Sequence, residues 1–149
     1  MAFLKLLLDG DSLTVTTLPV ADHAASGLTM ALVANEAQSF GDVCYIEALG
    51  QAALADADAE GSSRVCLMCA ELHLNAGSSG LYLLHGTARD DSWDWTSGLH
   101  IYLSTTGTVG NTLTQNIPTG ADDAIVVTGI ATSVDYMYFN PSLIVVEHV

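Results

Sequence analysis

Positive charge is nearly missing from this chain of 149 residues: Lys5, Arg64 and Arg89 stand against 17 Asp and Glu. The formal net charge is −14. Binding to nucleic acid needs clustered Lys and Arg to neutralise phosphates, and three scattered bases cannot supply that. DNA and RNA are therefore excluded as direct partners, and anionic membrane surfaces are disfavoured on the same ground. Charge of either sign is scarce, at 13% of residues against a usual share of about 25%. Half of the residues are hydrophobic. A chain of this length buries roughly 70% of its unfolded surface and needs no disulfide or metal staple. With so little charged surface, apolar area has to be hidden in a large core, between subunits, or both.

Long apolar runs are also lacking. None approaches the 18 or so residues of a membrane span. Ala2–Leu8 is short, is interrupted by Lys5, and is followed by Asp9-Gly10-Asp11 where a signal peptide carries small cleavage-site residues. Cytosolic synthesis is expected, with Cys44, Cys66 and Cys69 as reduced thiols.

Helical periodicity is scarce. The best helix candidate is the Ala-rich Gln51–Glu60, although its Ala-Asp alternation fits an extended loop equally well. The remaining apolar segments are short, rich in Val, Ile, Thr and Tyr, and bounded by Gly, Asp, Asn or Ser, which is the strand signature. Strands are predicted near Phe3–Leu8, Leu13–Leu18, Thr29–Val33, Val43–Glu47, Arg64–His73, Leu81–Ala88, His100–Ser104, Ile125–Ala131, Tyr136–Phe139 and Leu143–Val146. Asp9-Gly10, Asn75–Gly80, Gly107–Asn111 and Pro118-Thr119-Gly120 supply the turns between them. The pattern predicts an all-β, single-domain β-barrel or β-sandwich over residues 21–149, with residues 1–20 as an extended N-terminal arm or first strands. Ala124–Val127 does not alternate, so both of its faces are expected to be covered. Gly41–Gly50 and Gly98–Gly107 echo one another: each has Gly at the first and tenth positions and Tyr at the fifth. Each is followed by a polar stretch and an apolar strand, Val65–Ala70 or Ile125–Ala131. A duplicated hairpin unit and a chance likeness both remain open.

Few residues suggest chemistry. Cys66-x-x-Cys69 lies in a predicted buried strand, not at a helix N-terminus that would lower a thiol pKa. At that spacing the two thiols should face opposite sides of the strand, and no fourth zinc ligand accompanies His73. His23, His73, His85, His100 and His148 are dispersed and show no metal-binding spacing. There is no Gly-x-Ser-x-Gly elbow. Asp90-Asp91-Ser92-Trp93-Asp94-Trp95 concentrates three carboxylates and both tryptophans. It offers oxygen ligands of the calcium type or a Trp platform for sugars. The plainer alternative is a solvated turn capped by its Asp residues, with the Trp rings packed on the sheet. Asp56, Asp58 and Glu60 read as a solvated acidic face, and Asp122-Asp123 as a turn. The sequence leads to no enzyme, no metal and no cofactor.

Several C-terminal segments carry a likeness. Ser97–Gly107, with its Ile101-Tyr102-Leu103-Ser104 centre, resembles the "G-x-x-hydrophobic-Tyr-Leu-Ser-x-x-Gly" hairpin of bacteriophage virion proteins. Pro118–Ala131 resembles their "P-x-G-…-V-x-x-V-G-x-A" strand, and Tyr138-Phe139-Asn140-Pro141-Ser142 their "Y/F-F-N-P-S" ending. Gly41-Asp42-Val43 and His85–Arg89 fit the same pattern. The chain thus resembles the bacteriophage capsid cement, or decoration, proteins over residues 38–149, a β-rich module also found in tail-fibre-like proteins. The resemblance implies a non-enzymatic structural protein on the outer surface of the virion capsid, made in the host cytoplasm. Its partners would be the major capsid protein and sister copies in a homo-oligomer, a trimer by likeness. The chain has no repetitive stalk and the module nearly fills it, which suggests a stand-alone accessory protein. Residues 2–18 could pair with a neighbour by strand addition. The alternative implied is a tail-associated receptor- or carbohydrate-binding module. Trp93, Trp95, Tyr136, Tyr138 and Phe139 are the interface candidates, since aromatic anchors dominate such contacts. The competing assignment for each is domain core.

Overall fold

The computed structural model describes residues 18–148. The strand expected at Phe3–Leu8, most of that at Leu13–Leu18, and all but the last three residues of the proposed arm lie outside the described residues. Among the described residues the fold is all-β, as expected, with one short 3-10 turn at Glu60–Ser62. No helix there is long and apolar enough to cross a membrane.

The strands are β1 (Ala24–Val33), β2 (Gln38–Ser39), β3 (Val43–Ile46), β4 (Ala52–Leu54), β5 (Leu67–Cys69), β6 (His73–Leu74), β7 (Ser79–Arg89), β8 (His100–Leu103), β9 (Leu113–Thr114), β10 (Ala124–Ile125), β11 (Val127–Ala131), β12 (Tyr136–Phe139) and β13 (Val146–Glu147). Nine of them form one antiparallel sheet that curls into a half-barrel, in the order β4-β3-β5-β7-β12-β11-β8-β9, with β1 paired along β7. β2 pairs with β6 and β10 with β13 in two small flanking sheets.

The strand β7 organises the sheet. β1 runs along its whole length, from Ala24 opposite Arg89 to Val33 opposite Ser79. β5 pairs with its first half, at Tyr82 and Leu83, and β12 with its second, from Gly86 to Arg89. Gly27 and Gly86 face each other where β1 crosses β7, both at φ +152°. A Cβ on Gly27 would meet the His85 carbonyl oxygen at 2.2 Å, and one on Gly86 would meet that of Ser26 at 2.2 Å. Only glycine permits so close a backbone approach at that φ.

The sequence echo has a counterpart in the pairing. Gly41 (φ +85°) and Gly98 (φ +81°) each precede a four-residue strand, β3 or β8, and Gly50 (+78°) and Gly107 (+55°) follow. Tyr45 pairs with Ala53 as Tyr102 pairs with Thr114. Val43 pairs with Met68 as His100 pairs with Ile130. Met68 then pairs with Leu83 as Ile130 pairs with Tyr138. The two halves, β4-β3-β5-β7 and β9-β8-β11-β12, therefore repeat both strand order and register.

Side chains alternate between two cores on opposite faces of the sheet. Val43, Met68, Leu83, Ile101, Leu103, Met137 and Phe139 enter the larger one. Cys44, Leu67, Cys69 and Tyr82 enter the smaller, which β1 covers with Met30 and Leu32. The period-two alternation of extended chain produces this division, and each large side chain so buried stabilises the fold by about 1.5–3 kcal/mol.

Four local expectations are corrected. Gln51–Glu60 is not helical: Ala52–Leu54 is strand β4, all three residues buried against β3, because the small alanines fit an enclosed sheet position. Arg64–His73 is two short strands, β5 and β6, and not one. Cys66 precedes β5, so it escapes the alternation and packs on the same cluster as Cys69. Ala124–Val127 alternates after all, with Ala124 and Val126 buried and Ile125 and Val127 half-buried; the segment is split between β10 and β11.

Candidate functional site

The tryptophan loop Asp90–Trp95, between β7 and β8, forms one wall of a cleft of about 340 Å3. The facing wall is the turn from β2 into β3 (Ser39–Asp42), and His23, His73 and Thr112 are among the other lining residues. The loop is held at both ends by backbone hydrogen bonds to the β11–β12 turn: Asp90 N–H donates to Asp135 O (3.0 Å) and Trp95 N–H to Val134 O (2.9 Å). Within it the Asp90 carboxylate accepts Ser92 N–H (2.8 Å), the local turn chemistry that Asp favours. Trp93 and Trp95 are half-buried against the larger core, with ring centroids 5.5 Å apart. Trp93 also lies 6.4 Å from Phe40, their planes 33° apart, and His23 meets Phe40 edge-on at 5.6 Å. A Cβ on Gly41 would come within 3.0 Å of the Trp93 ring, so glycine lets the indole settle there. The Trp95 Nε1–H is shielded from solvent and has no acceptor among the described residues.

Two carboxylates stand under this aromatic surface. Asp42 is 1% exposed. One of its oxygens accepts Ser39 N–H (2.9 Å) and Ser39 Oγ–H (3.0 Å); the other accepts Gly110 N–H (2.8 Å) and Thr112 Oγ1–H (3.2 Å). Burial pushes its carboxyl above the ordinary value of 3.8, against the pull of these donors. Asp90 is also buried. Its second oxygen lies 3.6 Å from His23 Nε2, beyond hydrogen-bonding distance. His23 takes the uncommon φ of +52° and its Nδ1 lies 2.9 Å from Asp22. The Asp91 backbone amide, donating to Asp22 at 2.8 Å, holds the Asp22 carboxyl below its ordinary value.

The calcium-type convergence of Asp90, Asp91 and Asp94 does not form. Asp91 turns to the Arg89 guanidinium (2.7 and 3.2 Å), Asp94 is exposed, and Asp90 points to His23. Among the described residues, Asp22, His23 and Asp90 alone bring three side chains of metal-ligating type within 4.8 Å of one another. The three cysteines are free thiols. Burial pushes Cys69 up to about 11 and raises Cys44 and Cys66 as well, which fits core residues and not nucleophiles.

The five aromatic interface candidates separate into three groups. Trp93 and Trp95 line the cleft. Tyr136 and Tyr138 share one face of β12 and are half-buried. The Tyr136 hydroxyl donates to Pro19 O (2.7 Å), and its ring sits under the Arg89 guanidinium at 5.4 Å. Tyr138 Oη lies 2.6 Å from His85 Nε2. Phe139 points to the opposite face and is fully buried in the larger core, so it offers nothing to an interface. Sequence reasoning missed Phe40, Asp42 and His23 as cleft residues. A Ser-x-Gly-Asp turn was the available signal for Asp42; nothing local marks the other two. No protein-family model, curated protein or solved structure matches the chain.

Proposed function

We propose that this protein is a virion structural protein that binds the outer surface of a bacteriophage capsid and cements the expanded shell as a homotrimer. The observation that carries this is the amount of large apolar side chain left in water by a chain with so little charge. Leu143, Ile144 and Val146 fall within four residues and are 85%, 73% and 54% exposed; Val20 and Leu49 are 88% and 83% exposed. Covering each such side chain contributes about 1.5–3 kcal/mol before the cost of association. Exposed apolar runs mark surfaces intended for a partner.

The role is adhesive. A shell that expands as it fills with DNA changes the spacing of its major capsid subunits. An oligomer that fits only the expanded spacing adds its binding energy to that state by mass action. The net charge of −14 keeps unbound copies dispersed, while the apolar run supplies short-range attraction. Tyr136 and Tyr138, half-exposed on β12, are the remaining aromatic anchors on the sheet surface. The test is co-sedimentation of the purified protein with expanded and unexpanded shells, with its mass measured in solution. High-copy binding to expanded shells alone, by a trimer, is the expected result. A protein that ignores expanded shells has another role.

A further inference from the structure

We infer that the cleft between the Ser39–Asp42 turn and the tryptophan loop binds a neutral saccharide. The inference does not depend on the shell-binding proposal. The half-buried Trp93 indole supplies the accessible aromatic surface of the cleft, backed by the buried Phe40 ring 6.4 Å away and inclined by 33°. The C–H face of a pyranose ring packs against such a surface, while its hydroxyls turn to polar groups that line the cleft.

Those polar groups are of the kind that a hydroxyl needs. The Asp90 oxygen facing His23 at 3.6 Å retains accepting capacity, because that distance is too long for a hydrogen bond. The Ser92 hydroxyl and the exposed His73 ring line the same cleft and make no hydrogen bond among the described residues. A sugar hydroxyl donates to the first and exchanges hydrogen bonds with the other two.

The charge pattern selects against other ligands. No Lys or Arg lines the cleft, and Asp42 and Asp90 do, so phosphates and acidic sugars are repelled. An alkylammonium ion would meet the same rings and the free Asp90 oxygen, but the Asp42 carboxylate already accepts from four donors, so a cation is the competing occupant that the test separates. A volume of about 340 Å3 is at the small end of ligand pockets, about 300–1,000 Å3, and suits a terminal sugar or disaccharide better than a long chain. Because the loop is anchored at Asp90 and Trp95, little ordering cost opposes binding.

The full-length protein is to be screened on an array of neutral hexose and N-acetylhexosamine mono- and oligosaccharides. Hits are then titrated while the tryptophan indole N–H resonances are followed by NMR. Saturable binding is expected, with shifts at Trp93 and Trp95 and a Kd raised about tenfold or more by Trp93→Ala. Ser92→Ala, at an exposed position outside the core, should weaken binding several-fold, and it keeps the test decisive if Trp93→Ala does not fold. An array silent for neutral sugars overturns the inference. So does affinity unchanged in Ser92→Ala and in any Trp93→Ala that folds, or binding confined to choline, calcium ions or acidic glycans.

Discussion

Replacing Asp42 should destabilise the fold more than any other single polar change near the cleft. Its carboxylate ties the β2–β3 turn to the segment before β9, through Gly110 and Thr112, 68 and 70 residues away in sequence. Thr112 is itself buried, and its hydroxyl accepts Val43 N–H at 2.9 Å. In Asp42→Ala, Gly110 N–H can turn to water because that residue is exposed, and Ser39 is half-buried. Thr112 has no such recourse. Leaving a buried donor unpaired costs about 1–3 kcal/mol, and each hydrogen bond to a charged group contributes about 1.5–3. A loss of about 3 kcal/mol is expected for Asp42→Ala. About 2 is expected for Asp42→Asn, whose amide keeps one accepting oxygen but turns two donors against Ser39 or against Gly110 and Thr112. Urea unfolding at constant m-value measures both. Because the folded carboxyl titrates above 3.8, its protonated form is the one favoured by folding. The stability this gives is fully present below 3.8 and is lost as pH rises through the folded value. Wild type should therefore gain on Asp42→Asn as pH falls toward 4. A variant within about 0.5 kcal/mol of wild type would refute the argument from unpaired donors. A gap that narrows in acid would show that the four donors, and not burial, dominate the carboxyl.

Gly27→Ala and Gly86→Ala should each cost on the order of 3 kcal/mol or more, because the added methyl meets a carbonyl oxygen across the β1–β7 crossing at a φ that disfavours a side chain; thermal unfolding reads the loss. Leu143→Asp with Ile144→Asp should leave the monomer fold and its Tm nearly unchanged, since both side chains are exposed, while abolishing the proposed trimer by sedimentation analysis. Cys44 and Cys69 should resist alkylation at pH 7.5 in the native protein and react only on unfolding, with half-buried Cys66 modified first. Mass spectrometry of iodoacetamide-treated protein follows the order.

Much of the architecture was legible without coordinates. Segments such as Val43–Glu47, His100–Ser104 and Tyr136–Phe139 carry β-branched and aromatic residues between turn formers, and they emerge as β3, β8 and β12 within a residue. The failures have local causes. Ala52–Leu54 was obscured because alanine favours helices in isolation, and only the enclosing sheet makes a small residue suitable for a strand. Phe139 and Tyr138 are neighbours of similar character, yet one fills the core and the other meets His85. Their alternation was readable, but which face would be covered was not.

The sequence by itself pointed to the all-β fold of the described residues, to a lack of clustered positive charge, and to two Gly-bounded segments with Tyr at the same position. Composition, period-two alternation and turn residues are local properties, and they act before any long-range contact forms. Tertiary structure alone decided that His23, Phe40, Asp42, His73, Asp90, Trp93 and Thr112 share one cleft, and that Asp42 is buried among four donors. Those residues span 90 positions of the chain, between His23 and Thr112 inclusive. They meet because β7 accepts β1, β5 and β12 at fixed registers, a long-range pairing that no local pattern encodes.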